Sequence, residues 1–338
     1  MVVVWDDSRE APVTDVATND VGLADIERFR TELTGYCYRM LASVHDADDA
    51  VQETFVKAWQ AIGGFEGRAS LRSWVYRIAT NVCLDMLRAR QRRALPMDLS
   101  SPIPAPEDPG PPVSESLWLQ PIADGDAVPA DADPAQRVVL RDSIRLAFVA
   151  ALQHLPPRQR AVLILREVLQ WHADEVAQLL DTTVASVNSA LQRARATMAD
   201  RNLDALDASG RAESVDPELL NRYVAAFEAY DIEALVALLS KDGSISMPPW
   251  AMWMTGHENL KRWYVGAGKG CAGSRMQLLS VNGQPALAHW KPSDDGGLRQ
   301  WAIQVLDVVD GEIVHIHHFI DFDGSLFTRF GLPTTVAA

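Results

Sequence analysis

The chain has 338 residues, enough for two or three small domains, and its 48% hydrophobic and 22% charged content excludes a largely disordered protein. Cys37, Cys83 and Cys271 are widely spaced without a CxxC pair, which excludes a disulfide framework and a cysteine metal site and suits a reducing cytosol. A net charge of −14 argues on its face against a nucleic-acid partner, but nucleic acid feels the local field rather than the sum.

Split along the chain, the charge is uneven. Residues 1–21 carry −4 and read as a flexible tail, opening on MVVVWDDSREAP, where acid interrupts any signal-peptide pattern; no apolar run in the chain is long enough to span a membrane. Residues 22–97 carry +2 and form one unit. Residues 98–136 carry −8 with no Lys or Arg and are rich in Pro, which predicts an extended or disordered tether. Residues 137–201 carry +3 and form a second unit, 202–211 are a linker, and 212–338 carry −6 and form a third unit.

In the first unit, Leu23, Ile26, Phe29, Leu33, Tyr36, Cys37, Met40 and Leu41 recur at three and four and predict an amphipathic helix. Asp46, Asp48 or Asp49 are candidates to cap the next helix, whose buried stripe is Val51, Phe55, Ala58, Trp59 and Ile62 and whose stop is Gly63–Gly64. A third helix is predicted over Leu71–Arg93, ending in Arg88, Arg90, Arg92 and Arg93. Residues 67–97 hold seven Arg against one Asp. Such cations suit phosphate, and Trp74 and Tyr76 are flat enough to stack on unpaired bases. The Arg-rich helix end reads equally as a solvated end that complements its dipole, and Trp59, Trp74 and Tyr76 read equally as packing.

In the second unit a helix is predicted from about Pro134 to His154, with Val138, Val139, Ile144, Ala147, Phe148 and Leu152 apolar, and a second begins at LPPRQR after a proline start. Ala173–Leu180, a turn at Asp181–Thr183 and Val184–Met198 have helix-turn-helix spacing. Val184, Val187, Leu191 and Ala194 form the inner face of the second helix. Thr183, Ala185, Ser186, Asn188, Ser189, Gln192, Arg193 and Arg195 remain for base edges and phosphates. The same shape also occurs in ordinary helical bundles.

In the third unit Asp216 and Pro217 open two amphipathic helices that lead into a strand; further strands are predicted at Gln284–Trp290, Leu298–Val308 and Ile313–Phe319. Helices first and antiparallel strands later predict an α+β cone. Met247, Trp250, Trp253, Met254, Trp263, Trp290, Trp301 and Phe319 are candidates to line an apolar pocket, or simply core. His315 and His317 share one strand face while His318 points away, and no carboxylate spacing completes a metal site. No catalytic motif, cofactor or metal is assigned.

The stretch GYCYRMLASVHDADDAVQETFVKAWQAIGGFEGRASLRSWVYRIATNVCLDMLRARQRR resembles region 2 of extracytoplasmic-function sigma factors. LPPRQRAVLILREVLQWHADEVAQLLDTTVASVNSALQRARA resembles their region 4. The resemblance implies a multidomain fold, two all-α sigma domains followed by the cone, and a non-enzymatic role in recruiting polymerase and opening promoter DNA in the cytoplasm, with no membrane partner. It implies that Asp48, Asp49, Gln52, Glu53, Phe55 and Trp59 dock on the clamp helices of the largest polymerase subunit, while region 4 meets the flap of the second-largest subunit. It also implies that Arg72, Trp74, Tyr76, Arg77, Asn81, Asp85, Arg88, Arg92 and Arg93 read and melt the −10 element, and that the helix Val184–Met198 reads the −35 element. The tether would thread toward the active-site and RNA-exit channel.

ESLWLQPIADG resembles a signature of family members with a C-terminal extension, and Trp118, Leu119 and Pro121 are expected to pack on a domain or on polymerase. AYDIEALVALLSKDGSISMPP and VNGQPALAHW resemble the SnoaL-like, nuclear-transport-factor-like cone behind actinobacterial sigma factors. This cone is expected to tune activity, with a small-molecule ligand among Met247, Trp250, Trp253, Trp263, Trp290, Trp301, His315, His317 and Phe319. A separate anti-sigma partner stays open. The rival readings are a DNA-binding regulator without polymerase binding, and a sigma-like module fused to a cyclase- or isomerase-like enzyme using His and Asp321 or Asp323.

Overall fold

The computed structural model describes residues 22–67, 69–88, 91–200 and 215–337; the predicted tail 1–21, Arg90 and the linker 202–211 lie outside them. After a short helical turn, Leu23–Glu27, the first unit is built from α1 (Arg30–Leu41), α2 (Val44–Ala61) and α3 (Leu71–Leu87). The single helix predicted at the start is broken, because Phe29 leaves helical geometry. Ser43, rather than an Asp, caps α2: its Oγ accepts the Asp46 N–H, while the acids remain in the first turns, where they suit the helix dipole.

The second unit holds α4 (Pro134–Asp142), α5 (Leu146–Leu152), α6 (Pro157–Leu163), α7 (Ala173–Leu179) and α8 (Val184–Ala199). The one helix predicted over Pro134–His154 divides at Ser143–Arg145. Its first half turns Val138 and Val139 to solvent and buries only Leu140. Proline opens α4 and α6, where a missing N–H is harmless. The helix-turn-helix falls where its spacing placed it. Thr183 caps α8, and Asp181 takes a positive φ of 51° in the turn.

The third unit starts with α9 (Pro217–Glu228), capped by Asp216, and α10 (Ile232–Ala237). A mixed sheet follows: β1 (Leu239–Ser246), β2 (Trp253–Thr255), β3 (Arg275–Val281), β4 (Gln284–Pro292), β5 (Leu298–Val309), β6 (Glu312–Ile320) and β7 (Thr335–Val336), with α11 (His257–Val265) before β3 and α12 (Ser325–Arg329) after β6. The strand order is β2-β1-β6-β5-β4-β3, with β7 on β5; β1 and β6 are parallel and the remaining pairs antiparallel.

Strand alternation gives this sheet two buried faces. Leu287, Ala302, Leu306 and Ile316 pack under the helices with Tyr223, Phe227 and Trp263. Ala286, Ala288, Ile303, Val305 and Phe319 belong instead to a core continuous with both helical units. The cone therefore seats its outer face on the rest of the chain. The tether, predicted to be loose, is described throughout and lies folded against its neighbours. Its Leu119 and Ile122 are fully buried in the shared core.

Candidate polymerase and promoter interfaces

Along α2, residues Asp49, Gln52, Glu53 and Trp59 line up on one exposed face, with Val56 between them. Trp59 was expected in the buried stripe, yet it is 55% exposed, and Phe55 is the member of the polymerase-docking set that turns inward. An exposed indole beside acids on a helix is the kind of apolar surface that marks an interaction face. Asp48, at its edge, is already engaged. The Arg329 guanidinium at the end of α12 pairs with both its carboxylate oxygens and reaches Asp126 Oδ2 at 3.4 Å.

The promoter-melting set divides. Arg77, Asn81, Asp85, Arg88 and Arg92 are exposed and Trp74 is half-buried against Phe65, with ring centroids 5.2 Å apart. Tyr76 is fully buried. Its ring meets Trp171 of the second unit at 5.1 Å, and Arg72 lies over both rings at 5.1 and 5.2 Å while pairing with Glu32 at 3.1 Å. Burial drives the Tyr76 hydroxyl pKa far up, so the ring is neutral. A π-helical segment, Ile164–Val168, and a left-handed Gln170 deliver Trp171 to this place.

Arg93 is not a DNA contact here. The predicted helix Leu71–Arg93 stops at Leu87, and Arg93 turns inward to pair with Asp46 at 2.8 Å and to donate to the carbonyls of Trp118 and Glu115. A buried guanidinium satisfied by a carboxylate and two carbonyls is a structural group.

The outer face of α8 is exposed among the described residues. Thr183, Ala185, Ser186, Asn188, Ser189, Gln192, Arg193 and Arg195 are all exposed, while Val187, Leu191 and Ala194 are buried; Val184, expected inside, lies on the exposed side. Small polar residues at the helix start and Arg193 beyond them can reach base edges and phosphates. Arg195 is paired with Glu167 at 2.5 Å.

The tether makes the connection. Ala94 N donates to Leu117 O and Leu119 N to Ala94 O, and Gln120 N donates to Ala42 O. Trp118, Leu119 and Pro121 are buried. Farther on, Asn282, at the β3–β4 turn, joins the tether and both helical units. Sequence reasoning missed Asn282, Trp171, Arg329 and the buried Arg39, whose Nε donates to Ser143 Oγ at 2.8 Å and whose pKa burial lowers to about 10. Only the Asn-Gly turn had a local signal.

The candidate ligand-pocket residues are not gathered into one site. Met247, Trp250 and Trp263 lie in the core under the helices, Trp290 and Phe319 in the core on the opposite face, and Trp253 and Trp301 at the half-exposed rim. His315 and His317 share the outer face with Phe319, their rings 4.1 Å apart, and His317 Nε2 lies 3.1 Å from Asp307 Oδ2. Under the helices Tyr223 donates to Gln304, Gln304 Nε2 donates to His289 Nδ1, and His289 Nε2 therefore donates to Ser274 Oγ, whose hydrogen goes to Cys271 O. Among the described residues no group of three His, Cys, Asp or Glu is placed to hold a metal ion, and no helix is long and apolar enough to cross a membrane.

A helical unit with an acidic, tryptophan-bearing docking face, a second with an open recognition helix, and a cone behind them define a promoter-recognition subunit with an appended domain. The chain belongs to the extracytoplasmic-function RNA polymerase sigma factors. Residues 26–93 match the Sigma-70 region 2 family, 145–198 match Sigma-70, region 4, and 220–316 match the SnoaL-like domain. It is 44% identical over 318 residues to the ECF RNA polymerase sigma factor SigG of Mycobacterium tuberculosis, covering 93% of this chain and 84% of the relative. It is 28% identical over 306 residues to SigJ of the same species, across 86% and 89% of the two chains. The crystal structure of SigJ superposes with a TM-score of 0.58 over 93% of this chain and all of that one at 23% identity, a likeness of fold.

Proposed function

We propose that this sigma factor is folded in a resting state, in which its C-terminal cone restrains recruitment of core polymerase and promoter opening until the three units separate. The observation that carries the reading is the grip of Arg329 on Asp48. A residue of the cone occupies the edge of the helix face assigned to the polymerase clamp. Burial of Tyr76 against Trp171, with the half-buried Arg72 lying over both rings, supports it, because these members of the −10 set meet region 4. The polymerase core and promoter DNA are the partners; a separate anti-sigma chain would compete for the same α2 face. The Tyr223–Gln304–His289–Ser274 chain favours a structural and regulatory cone over an enzyme, since both ring nitrogens of His289 are held by buried partners.

The test is core-polymerase binding and promoter-specific run-off transcription by the full chain and its Arg329→Ala variant. Loss of a half-buried ion pair worth about 1 kcal/mol should raise the open population and the apparent polymerase affinity roughly fivefold. Unchanged or weaker binding by a variant that melts like the parent would refute the restraint.

A further inference from the structure

The tether between regions 2 and 4 does more than cross the cone. From Ser100 to Val113 its backbone is bonded to the cone's rim at successive points. The Trp253 indole N–H donates to Ser100 O at 2.8 Å, and Ile103 N donates to Trp253 O at 3.0 Å. Asn259 reads the backbone in both senses: its Nδ2 donates to Ile103 O at 3.0 Å while its Oδ1 accepts from Ala105 N at 2.6 Å. Farther along, the Trp250 indole N–H donates to Gly110 O at 2.9 Å, and Val113 N donates to Pro249 O at 2.9 Å. Ala105 packs against the core under the cone's helices.

The segment held there is SSPIPAPEDPGPPV. Its prolines fix φ and remove N–H groups, so it is pre-extended, has few donors of its own and offers a row of outward carbonyls. Two indole N–H groups aimed at carbonyls, and an amide that brackets one residue, form the complement of such a chain. Aromatic-lined grooves that capture polyproline segments at low entropy cost work by the same chemistry. Trp250 and Trp253 were expected to face a small apolar ligand. Their indole N–H groups instead point at peptide carbonyls.

We propose that Trp250, Trp253 and Asn259 form a receptor site for an extended proline-rich peptide, and that its occupant is this chain's own segment 100–113. The site makes the cone a latch for the linker. That the latch keeps the linker from the polymerase channel rests on the resting-state reading above; the site itself does not.

Two measurements on the full chain test it without polymerase or DNA. In hydrogen exchange resolved to single residues, the amides of Ile103, Ala105 and Val113 should exchange at least about tenfold more slowly than those of Glu107 and Asp108. Asn259→Ala should erase the protection at Ala105, whose N–H it accepts, while that of Ile103, whose acceptor is Trp253 O, and that of region 2 are kept. In the second, residues 100–113 are replaced by a Gly–Ser stretch of equal length and a synthetic peptide of residues 98–114 is titrated in. It should bind, and Trp253→Phe, which keeps an aromatic side chain but removes the indole N–H, or Asn259→Ala should each weaken it about tenfold. Free-peptide exchange rates at Ile103 and Ala105 in the parent would overturn the proposal. So would peptide binding that neither substitution changes, or that is equally tight after Pro104, Pro106 and Pro109 of the peptide are replaced by Ala.

Discussion

Asn282 has every polar atom of its side chain engaged in a different part of the molecule. Its Nδ2 donates to Tyr38 Oη at 2.7 Å and to Ile144 O at 2.6 Å, and its Oδ1 accepts from Ile122 N at 3.0 Å. It is fully buried and sits at φ 56°, a left-handed conformation that Asn tolerates better than most residues. Gly283 follows at φ 68°, where a Cβ would lie 2.5 Å from Arg141 O. Asn-Gly is a local hairpin signal, but no strand directly before Gln284 and no turn here were predicted from it. Nothing local says that the turn is the keystone of three units, because its partners lie between 138 and 244 residues away. Asn282→Ala would leave Ile122 N–H and Ile144 C=O buried without partners. Urea unfolding should show a loss of about 3 kcal/mol; a loss below 1 kcal/mol would mean that the joint is not shared as described.

At the scale of elements, periodicity identified α2, α7, α8 and the strands β4 to β6 within a few residues, and α3 with its end placed at Arg93 instead of Leu87. Each has an apolar stripe of its own period and a cap or turn residue at its end. It failed where burial comes from another unit. Val138 and Val139 look like core and are exposed; Tyr76 and Arg93 look like nucleic-acid contacts and are covered by Trp171 and by the tether. Trp59 is the converse, an apolar residue left for a partner. The recognition helix α8 rests on a buried inner stripe, and apart from its cap Thr183 and the paired Arg195 its outer residues, Arg193 among them, can be changed at little cost to folding. Arg193→Ala should lower −35-dependent promoter binding by the holoenzyme roughly tenfold or more while leaving the melting curve unchanged. Equal loss on a promoter lacking a −35 element would assign Arg193 a nonspecific role.

Across the whole molecule, charge and burial act together. His289, His315 and His318 are buried in the cone. Burial holds the first two well below the usual histidine range and lowers His318 to about 3, with neighbouring histidines adding to each shift. Such a histidine takes up its proton only on unfolding. Stability is therefore full above the unfolded value near pH 6.5 and falls as pH drops below it, by about 1.4 kcal/mol per pH unit for each group. Asp307 adds a loss in the same direction at lower pH: burial is the largest single influence and would raise its carboxyl pKa, but the hydrogen bond and charge of His317 together with the charges of His315 and Arg145 outweigh burial and lower it. Asp126, Asp142 and Asp321 are raised chiefly by burial and act nearer the carboxylate range. Urea unfolding at pH 7.5, 6.5 and 5.5 should thus give a steep fall over the last step. Equal stability at 6.5 and 5.5 would show these histidines to be hydrated.

By itself the sequence determined the family, the three units, their order, and the two mildly basic units set apart by an acidic tether. Those properties reside in local periodicity, turn chemistry and long contiguous motifs. Tertiary structure alone decided that the tether is bound rather than free, that Arg93 and Tyr76 are buried while Trp59 is not, and that a cone residue, Arg329, holds Asp48. The reason is physical: burial and pairing depend on which surfaces meet across hundreds of residues, and no window along the chain encodes the other side of a contact. The net charge of −14 follows the same division. Its sum is read from composition, but its effect on DNA depends on whether the acidic tether stays latched to the cone.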